Sequence, residues 1–314
     1  MKKAFFIGCN ALGDTLCTTP TVRAFRKANP DVFIAYIAHN ANYCRVLDGN
    51  PDIDLVVYNE YLWLRGMEGF AIEWFHSLPL EIEETTPLYH FDMNAVCSRG
   101  ESFHEHIAIG LAKSVGIPIQ SVRPIVRVTD EERRTARLLV RRPYMIFSQH
   151  SNANPRFADG SGAKDWPDEN WRRLAECLHG RGFDVISVGS ETDSRFGSAH
   201  ARDLYGLPIK VLAALLEGAA CLVTLENGIA HLAAAVDVPM VELYSKIVPL
   251  EWAYPAEMTN REVIYEVPKA VSYERVAEAV DRLLGHRLAK PVVRRYTAEE
   301  SDRRIMPTRP GTSS

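Results

Sequence analysis

Four short segments of this chain place polar side chains where a buried strand is expected to meet a helix. The first, residues 8–14, ends in a single carboxylate, Asp14. There Asp14 can act as a general base or cap the following helix, and on spacing alone capping is the commoner role. The segment has neither G-x-G-x-x-G nor the Lys-Ser/Thr of a P-loop, which disfavours a dehydrogenase and an ATPase.

The second segment joins a strand end to a lysine. Ser151 and Asn152 follow a predicted strand, and Lys164 stands just before the next helix. Hydroxyls, backbone N–H groups and one ammonium can converge on a phosphate in such an arrangement. The alternative is a solvated loop lysine, which is the commoner fate of a single lysine.

Two further segments indicate the rest of a nucleotide site. Glu191 follows a strand, where an acid can accept hydrogen bonds from ribose hydroxyls, and a surface glutamate is equally compatible with that position. Glu226, Asn227 and Gly228 precede an alanine-rich helix whose N-terminus offers unpaired N–H groups and a positive dipole end. A helix N-terminus of this kind suits the binding of a diphosphate. His231 is either a phosphate ligand or a core histidine bonded to a carbonyl.

Alternating strands and helices must bring these segments together. Strands are predicted at residues 4–8, 33–38, 55–57, 144–149, 185–189, 221–225 and 240–244, with one more inside 59–100. Helices are predicted through Leu16, Val22 and Phe25 and over 43–47, 101–115, 129–142, 168–181, 209–217, 229–236 and 272–284. This alternation indicates parallel sheets, which bind ligands at the carboxyl ends of their strands.

We therefore predict an α/β protein made of two doubly wound, Rossmann-like domains that face a central cleft. The N-terminal domain is expected over residues 1–128 and the C-terminal domain over 144–285. Residues 129–143 form a linker helix between them, although an ordinary surface helix is equally compatible with this charged segment. A basic, flexible tail is expected over 286–314.

Composition limits the function classes further. The chain has 314 residues, a net charge of −4 and 46% hydrophobic residues, as an ordinary globular protein does, with no broad basic surface for nucleic acid. No stretch of eighteen apolar residues occurs, so any membrane contact must be peripheral. The six cysteines form no C-x-x-C pair, which favours reduced cytoplasmic thiols over a zinc site.

The order of these segments resembles glycosyltransferase family 9, the ADP-heptose heptosyltransferases of lipopolysaccharide core assembly. The matching stretches are Ala11-Leu12-Gly13-Asp14 with Thr19-Pro20 and Arg23, Asn50-Pro51-Asp52-Ile53-Asp54, Lys164-Asp165-Trp166-Pro167 with Trp171 and Leu174, Gly182 with Val188-Gly189-Ser190-Glu191, and residues 226–235.

The resemblance implies a GT-B fold and an inverting, metal-independent transfer from a nucleotide-sugar, ADP-linked in the family, to a hydroxyl acceptor such as a lipopolysaccharide or other glycan precursor. The acceptor is implied to lie mostly on the N-terminal domain and the donor on the C-terminal one. No cofactor is expected beyond the nucleotide-sugar. Asp14 is implied to be the base, Lys164 to contact the donor phosphate or sugar, and Glu191 to contact the nucleoside. The other implied donor-site residues are Gly13, Ser151, Asn152, Glu226, Asn227, Gly228 and His231.

Two residues depart from the family pattern, since Glu226 replaces an aspartate and Asn227 replaces a serine or threonine. We therefore expect a donor sugar that is smaller than heptose or differently hydroxylated. Residues 153–163 also lengthen the loop before Lys164. The alternatives are a non-catalytic nucleotide-sugar-binding protein, an epimerase of GT-B type, and a GT-B enzyme with a protein, small-molecule or nucleic-acid acceptor.

Overall fold

In a computed structural model the chain forms two parallel sheets flanked by helices. The structure describes residues 2–9, 11–58, 86–98, 104–140, 143–152, 154–156, 162–253, 257 and 260–288. Most of the segment 59–100 and nearly all of the predicted tail lie outside these residues. No described helix is both long enough and apolar enough to cross a bilayer.

The first sheet has four strands in the order β3-β2-β1-β4, all parallel. Its strands are β1 (Lys3–Ile7), β2 (Phe33–Ala38), β3 (Leu55–Tyr58) and β4 (Leu88–His90). Its helices are α1 (Leu12–Ala28), α2 (Ala41–Cys44), α3 (Met93–Ser98) and α4 (Ile107–Ser114), with a 3₁₀ turn at Arg45–Leu47. Phe6 stacks on Tyr89 with ring centroids 4.9 Å apart and meets Phe25 edge-on, so that β1 is fastened to β4 and to α1.

The second sheet has six parallel strands in the order β10-β9-β8-β5-β6-β7. Its strands are β5 (Tyr144–Ser148), β6 (Asp184–Gly189), β7 (Arg202–Tyr205), β8 (Cys221–Leu225), β9 (Met240–Tyr244) and β10 (Arg261–Tyr265). Its helices are α5 (Asp130–Leu138), α6 (Asp168–Gly180), α7 (Ile209–Gly218), α8 (Gly228–Val236), α9 (Leu250–Ala253) and α10 (Tyr273–Leu288), with a 3₁₀ turn at Pro268–Ala270.

The predicted α/β class with parallel sheets is confirmed, and the strands that were not predicted lie at the sheet edges. Strands β7 and β10 are the outermost strands of the second sheet. Their first residues, Arg202 and Arg261, are followed by Asp203 and Glu262, so neither strand begins with the apolar run that marks a central parallel strand. The helix predicted over 101–115 begins only at Ile107 in the structure.

Helix α5 falls within the predicted linker segment and packs along α7. Thr129 and Glu132 form a capping box at its start. Arg133 donates two hydrogen bonds, of 2.6 and 3.0 Å, to the carboxylate of Glu217 at the end of α7. These contacts attach α5 to the second sheet's helical layer.

Helix α1 contains a proline, and a threonine completes its hydrogen bonding. Pro20 has no N–H to donate to the carbonyl of Leu16. The hydroxyl of Thr19 donates to that carbonyl at 2.6 Å and accepts a 2.9 Å hydrogen bond from the backbone N–H of Ile125. Thr19 therefore ties α1 to the chain segment that connects the two sheets.

We predict that Thr19→Val lowers the free energy of unfolding by about 1–3 kcal/mol, because it leaves the Leu16 carbonyl and the Ile125 N–H without this partner. Urea denaturation measures the change. Thr21→Val is the matched control, since the Thr21 hydroxyl is buried and no described residue forms a hydrogen bond with it. Equal losses of stability in the two variants would show that the Thr19 hydroxyl has no special role.

Candidate active site

The site forms where the N-terminus of α1 meets the N-terminus of α8. A Cβ atom on Gly13 would lie 2.9 Å from Cδ2 of His231, and one on Gly228 would lie 3.1 Å from the backbone N of Gly13. The two glycines are thus required by the close approach of the helices, not by their backbone angles. The carboxyl ends of β1 and β8 therefore meet, with two positively polarised helix ends side by side.

Asp14 lies in the first turn of α1 and does not cap it. The N-cap is Ala11, and Asp14 is the third helical residue. The expectation that Asp14 is a capping residue is therefore wrong. Burial raises the pKa of Asp14 to about 6. At neutral pH the group is ionised and more basic than an ordinary aspartate, as a general base requires.

Lys164 and Glu226 form a buried ion pair. Their exposed fractions are 7% and 9%, and Nζ of Lys164 lies 2.8 Å from Oε1 of Glu226. Ser245, which follows β9, donates a 2.8 Å hydrogen bond to Oε2, and Ser151 donates to the Glu226 carbonyl at 3.1 Å. Lys164 is therefore not a solvated loop lysine: its ammonium is fixed at the end of β8.

A second acid lies in the sheet near this pair. Glu242, in the middle of β9, is 1% exposed, and no described residue forms a hydrogen bond with its Oε2 atom. The pKa of Glu242 is raised to about 7, mainly by burial and to a smaller extent by Glu226, while Arg261 and Lys164 act in the opposite direction. The buried pair of Lys164 and Glu226 thus has a second buried acid, Glu242, close enough to interact with both charges.

Asn227 caps α8 and fastens it to β5. Its Oδ1 accepts hydrogen bonds from the N–H groups of Ile229 and Ala230, at 2.9 and 3.3 Å. Its Nδ2 donates to Oγ of Ser148 and to the carbonyl of His150, at 3.0 and 2.8 Å. Both polar atoms of the side chain are therefore engaged within the protein, and asparagine has the donor and acceptor that this double role needs.

His231 is buried and neutral. Its Nδ1 lies 3.5 Å from Sγ of Cys17, so its partner is a thiol on α1 and not the carbonyl that we expected of a core histidine. Its pKa is lowered to about 3, first by burial and then by nearby charges that include Lys164. His231 therefore offers a neutral ring between Asp14's helix and the buried lysine.

The remaining sequence-predicted residues lie at the surface. Asn152 and Glu191 are exposed, and no hydrogen bond or ion pair among the described residues joins either of them to Lys164. Glu191 lies against Gly206, just after β7. Beside it, the Tyr205 ring is covered by the guanidinium of Arg195 at 4.5 Å.

Sequence reasoning missed Ser245 and Glu242. Ser245 had the same signal as Ser151, a small polar residue directly after a buried strand. Glu242 had the signal of an acid in the middle of an otherwise apolar strand. Among the described residues, no three His, Cys, Asp or Glu side chains are grouped so that they could hold a metal ion.

Comparisons with known proteins identify the fold and the family of this chain. The chain is 36% identical over 93 residues to lipopolysaccharide heptosyltransferase 1 of Pseudomonas aeruginosa, an alignment that spans 27% of this chain and only 26% of that relative. The E. coli ADP-heptose lipopolysaccharide heptosyltransferase II superposes with a TM-score of 0.67 at 20% identity, over 92% of this chain and 100% of that one. A Veillonella parvula family 9 glycosyltransferase superposes with a TM-score of 0.72 at 18% identity, over 91% and 98%.

The two structural likenesses confirm the predicted GT-B fold. A family model described as glycosyltransferase family 9 (heptosyltransferase) matches residues 105–279, which is more than half of the chain. This match includes Lys164, Glu226 and His231, the residues that the fold brings together. The chain therefore belongs to glycosyltransferase family 9.

Proposed function

We propose that the chain is an inverting glycosyltransferase that moves a heptose or a related sugar from a nucleoside-diphosphate sugar to a hydroxyl acceptor, a lipopolysaccharide or other glycan precursor. The observation that carries the proposal is the fixed ammonium of Lys164 beside two converging helix N-termini, with the carboxylate of Asp14 on one of them. Family membership and the name of the E. coli structural relative support an ADP-linked heptose as the donor type.

The leaving nucleoside diphosphate gains negative charge in the transition state, and the site offers fixed positive groups for it. An ammonium has three donors, and Lys164 directs one to the Glu226 carboxylate at 2.8 Å and a second to the Glu226 carbonyl at 3.5 Å, which leaves one for a ligand. The positive end of the α8 dipole adds to this field, while the N–H groups of Ile229 and Ala230 are already bonded to Asn227. Groups that are already oriented need no reorganisation during the reaction, which is the main source of electrostatic catalysis. The transfer needs no metal in this mechanism.

The acceptor hydroxyl needs a base, because its pKa lies far above neutrality. In our proposal Asp14 takes that proton while the hydroxyl attacks the anomeric carbon and the diphosphate leaves. One displacement at that carbon inverts its configuration. The acceptor then lies on the first sheet's side of the cleft and the donor on the second sheet's side.

The other residues have supporting roles. Gly13 lets α1 approach α8 closely, and in our proposal Ser151 and Asn152 line the entrance to the phosphate site. Glu191 accepts hydrogen bonds from ribose hydroxyls at the end of β6. Asn227 keeps the start of α8 in place. We place the enzyme in the cytoplasm, in peripheral contact with the membrane where its acceptor is lipid-linked.

We predict that removing the Lys164 ammonium weakens donor binding. Thermal shift against a panel of nucleoside-diphosphate sugars identifies the donor, since a ligand at a hundred times its Kd adds about 2.7 kcal/mol of stability. Because an unpaired buried carboxylate is destabilising, the variant is Lys164→Met with Glu226→Gln, which keeps the pair neutral. Titration calorimetry should show weaker binding, with a smaller loss at high salt.

Lys113→Met with Glu105→Gln is the matched control, because it neutralises an ion pair at an exposed lysine on α4 and likewise leaves the net charge unchanged. Unchanged donor affinity in the double variant at low salt would remove Lys164 from the site. A panel in which no nucleotide-sugar stabilises the wild-type chain would overturn the proposed function itself.

We predict that Asp14→Asn lowers kcat by about 10²–10⁴-fold and leaves donor affinity unchanged, since it removes the base but not the phosphate site. The wild-type kcat/KM should fall as the pH drops through about 6, because the carboxyl is then protonated. The residual activity of the Asp14→Asn variant should not show this fall in kcat/KM near pH 6. Sugar-transfer assays in the presence of a metal chelator complete the test, because the mechanism predicts full activity without a metal ion. Near-normal turnover of the variant would contradict the assignment.

We predict that Glu226→Asp lowers kcat/KM for the native donor by about tenfold or more. A side chain shorter by one methylene cannot keep both Lys164 and Ser245 within 2.8 Å, and a buried group left without its partner costs about 1–3 kcal/mol. If Glu226 also selects the sugar, the variant gains relative activity with ADP-heptose. Steady-state kinetics with both donors decides: an unchanged ratio of kcat/KM values would limit Glu226 to positioning Lys164. Ser245→Ala is the control that removes one contact only.

A further inference from the structure

A second cavity lies away from the active site, between the two sheets. Its volume is about 930 Å³. The second half of α1 forms one wall, the connecting segment 118–128 forms the other, and Ala235 near the end of α8 closes it. Small-molecule sites typically have volumes of about 300–1,000 Å³ and lie preferentially between domains.

Basic side chains dominate the charge of this cavity. Seventeen of the residues that the structure describes line it, and none of these is acidic. The lining cations are Arg23, Lys27, Arg123, Arg127 and Arg133. Two come from α1 and two from the connecting segment, so opposite walls both present positive charge.

Acidic residues outside the cavity neutralise only some of these cations. Arg133 is held by Glu217, Nε of Arg23 donates to Asp52 at 2.8 Å, and Arg123 lies 3.8 Å from Asp237. Lys27 and Arg127 form no ion pair with any described residue. Like charges that share a cavity repel one another, so an anionic occupant would lower the energy of this arrangement.

The cavity is separate from the donor site. Lys27 follows Asp14 by thirteen residues on α1, a distance of about 20 Å along the helix axis, and Ala235 follows Gly228 by seven residues, about 10 Å. The negative end of the α1 dipole accounts for a cation at Lys27. It does not account for Arg127, which lies in an irregular segment.

We propose that this cavity binds a small polyanion with at least two phosphate groups, held between Lys27 on α1 and Arg127 on the connecting segment. A guanidinium presents paired N–H donors that match phosphate oxygens, which favours phosphate among anions. A proline lies on each wall, Pro20 and Pro124, and restricts the backbone next to the cations. The occupant bridges the two halves of the chain.

Titration calorimetry with sodium tripolyphosphate tests the proposal. The protein is the full chain carrying Lys164→Met and Glu226→Gln, so that the donor-site ammonium cannot bind the probe. We expect saturable binding with one site per chain that weakens as salt rises from about 50 to 300 mM. Adding Lys27→Ala and Arg127→Ala should weaken it by about tenfold or more.

Arg173→Ala with Lys269→Ala is the control, because it removes the same charge from exposed positions outside the cavity. Thermal unfolding verifies that each variant is folded. No saturable binding, or an equal loss in the control, would overturn the proposal. Tripolyphosphate binding that occurs only when Lys164 is present would assign it to the donor site and would equally overturn it. Because the readout is binding, the result does not depend on whether the chain transfers a sugar.

Discussion

The active site depends on the contact between the backbones of α1 and α8 at Gly13 and Gly228. Two helix N-termini, each with the equivalent of about half a positive charge, repel each other when they meet. The sequence provides a carboxylate at each: Asp14 in the first turn of α1 and Glu226 just before α8. These two carboxylates offset the positive potential of the helix N-termini. The same positive potential attracts a diphosphate. A methyl group at either glycine would separate the helices and weaken that field.

The buried pair of Lys164 and Glu226 does more to position the lysine ammonium than to stabilise the fold. Removing two charges from water costs several kcal/mol per ion, which their attraction often only repays. Two further hydrogen bonds orient Glu226. Ser245 donates to its second carboxylate oxygen, and Ser151 donates to its backbone carbonyl. A lysine on a loop would otherwise sample many rotamers. Here its ammonium is ordered before any ligand arrives.

The sequence predicts well where the strands and polar residues of this site lie along the chain, but it does not predict which of those residues contact one another. Central strands such as Phe33–Ala38, Cys221–Leu225 and Met240–Tyr244 agree with their predicted bounds to the residue, because apolar runs that are buried on both faces have a strong signal. Polar residues at strand ends identified Lys164 and Glu226. Their pairing joins residues 62 positions apart and is a property of the tertiary fold.

Local rules did not identify which residue caps each of the two helices, for a related reason. Asp14 has the residue type of a cap but lies three positions inside its helix, and Asn227, which was expected to contact the donor, is the residue that caps. Either side chain can perform either role, so the choice depends on where the first helical N–H groups fall. In α8 the amide of Asn227 satisfies those groups and also holds β5. In α1 the N-cap is Ala11, so the carboxylate of Asp14 does not cap the helix, and its burial makes it more basic than an ordinary aspartate.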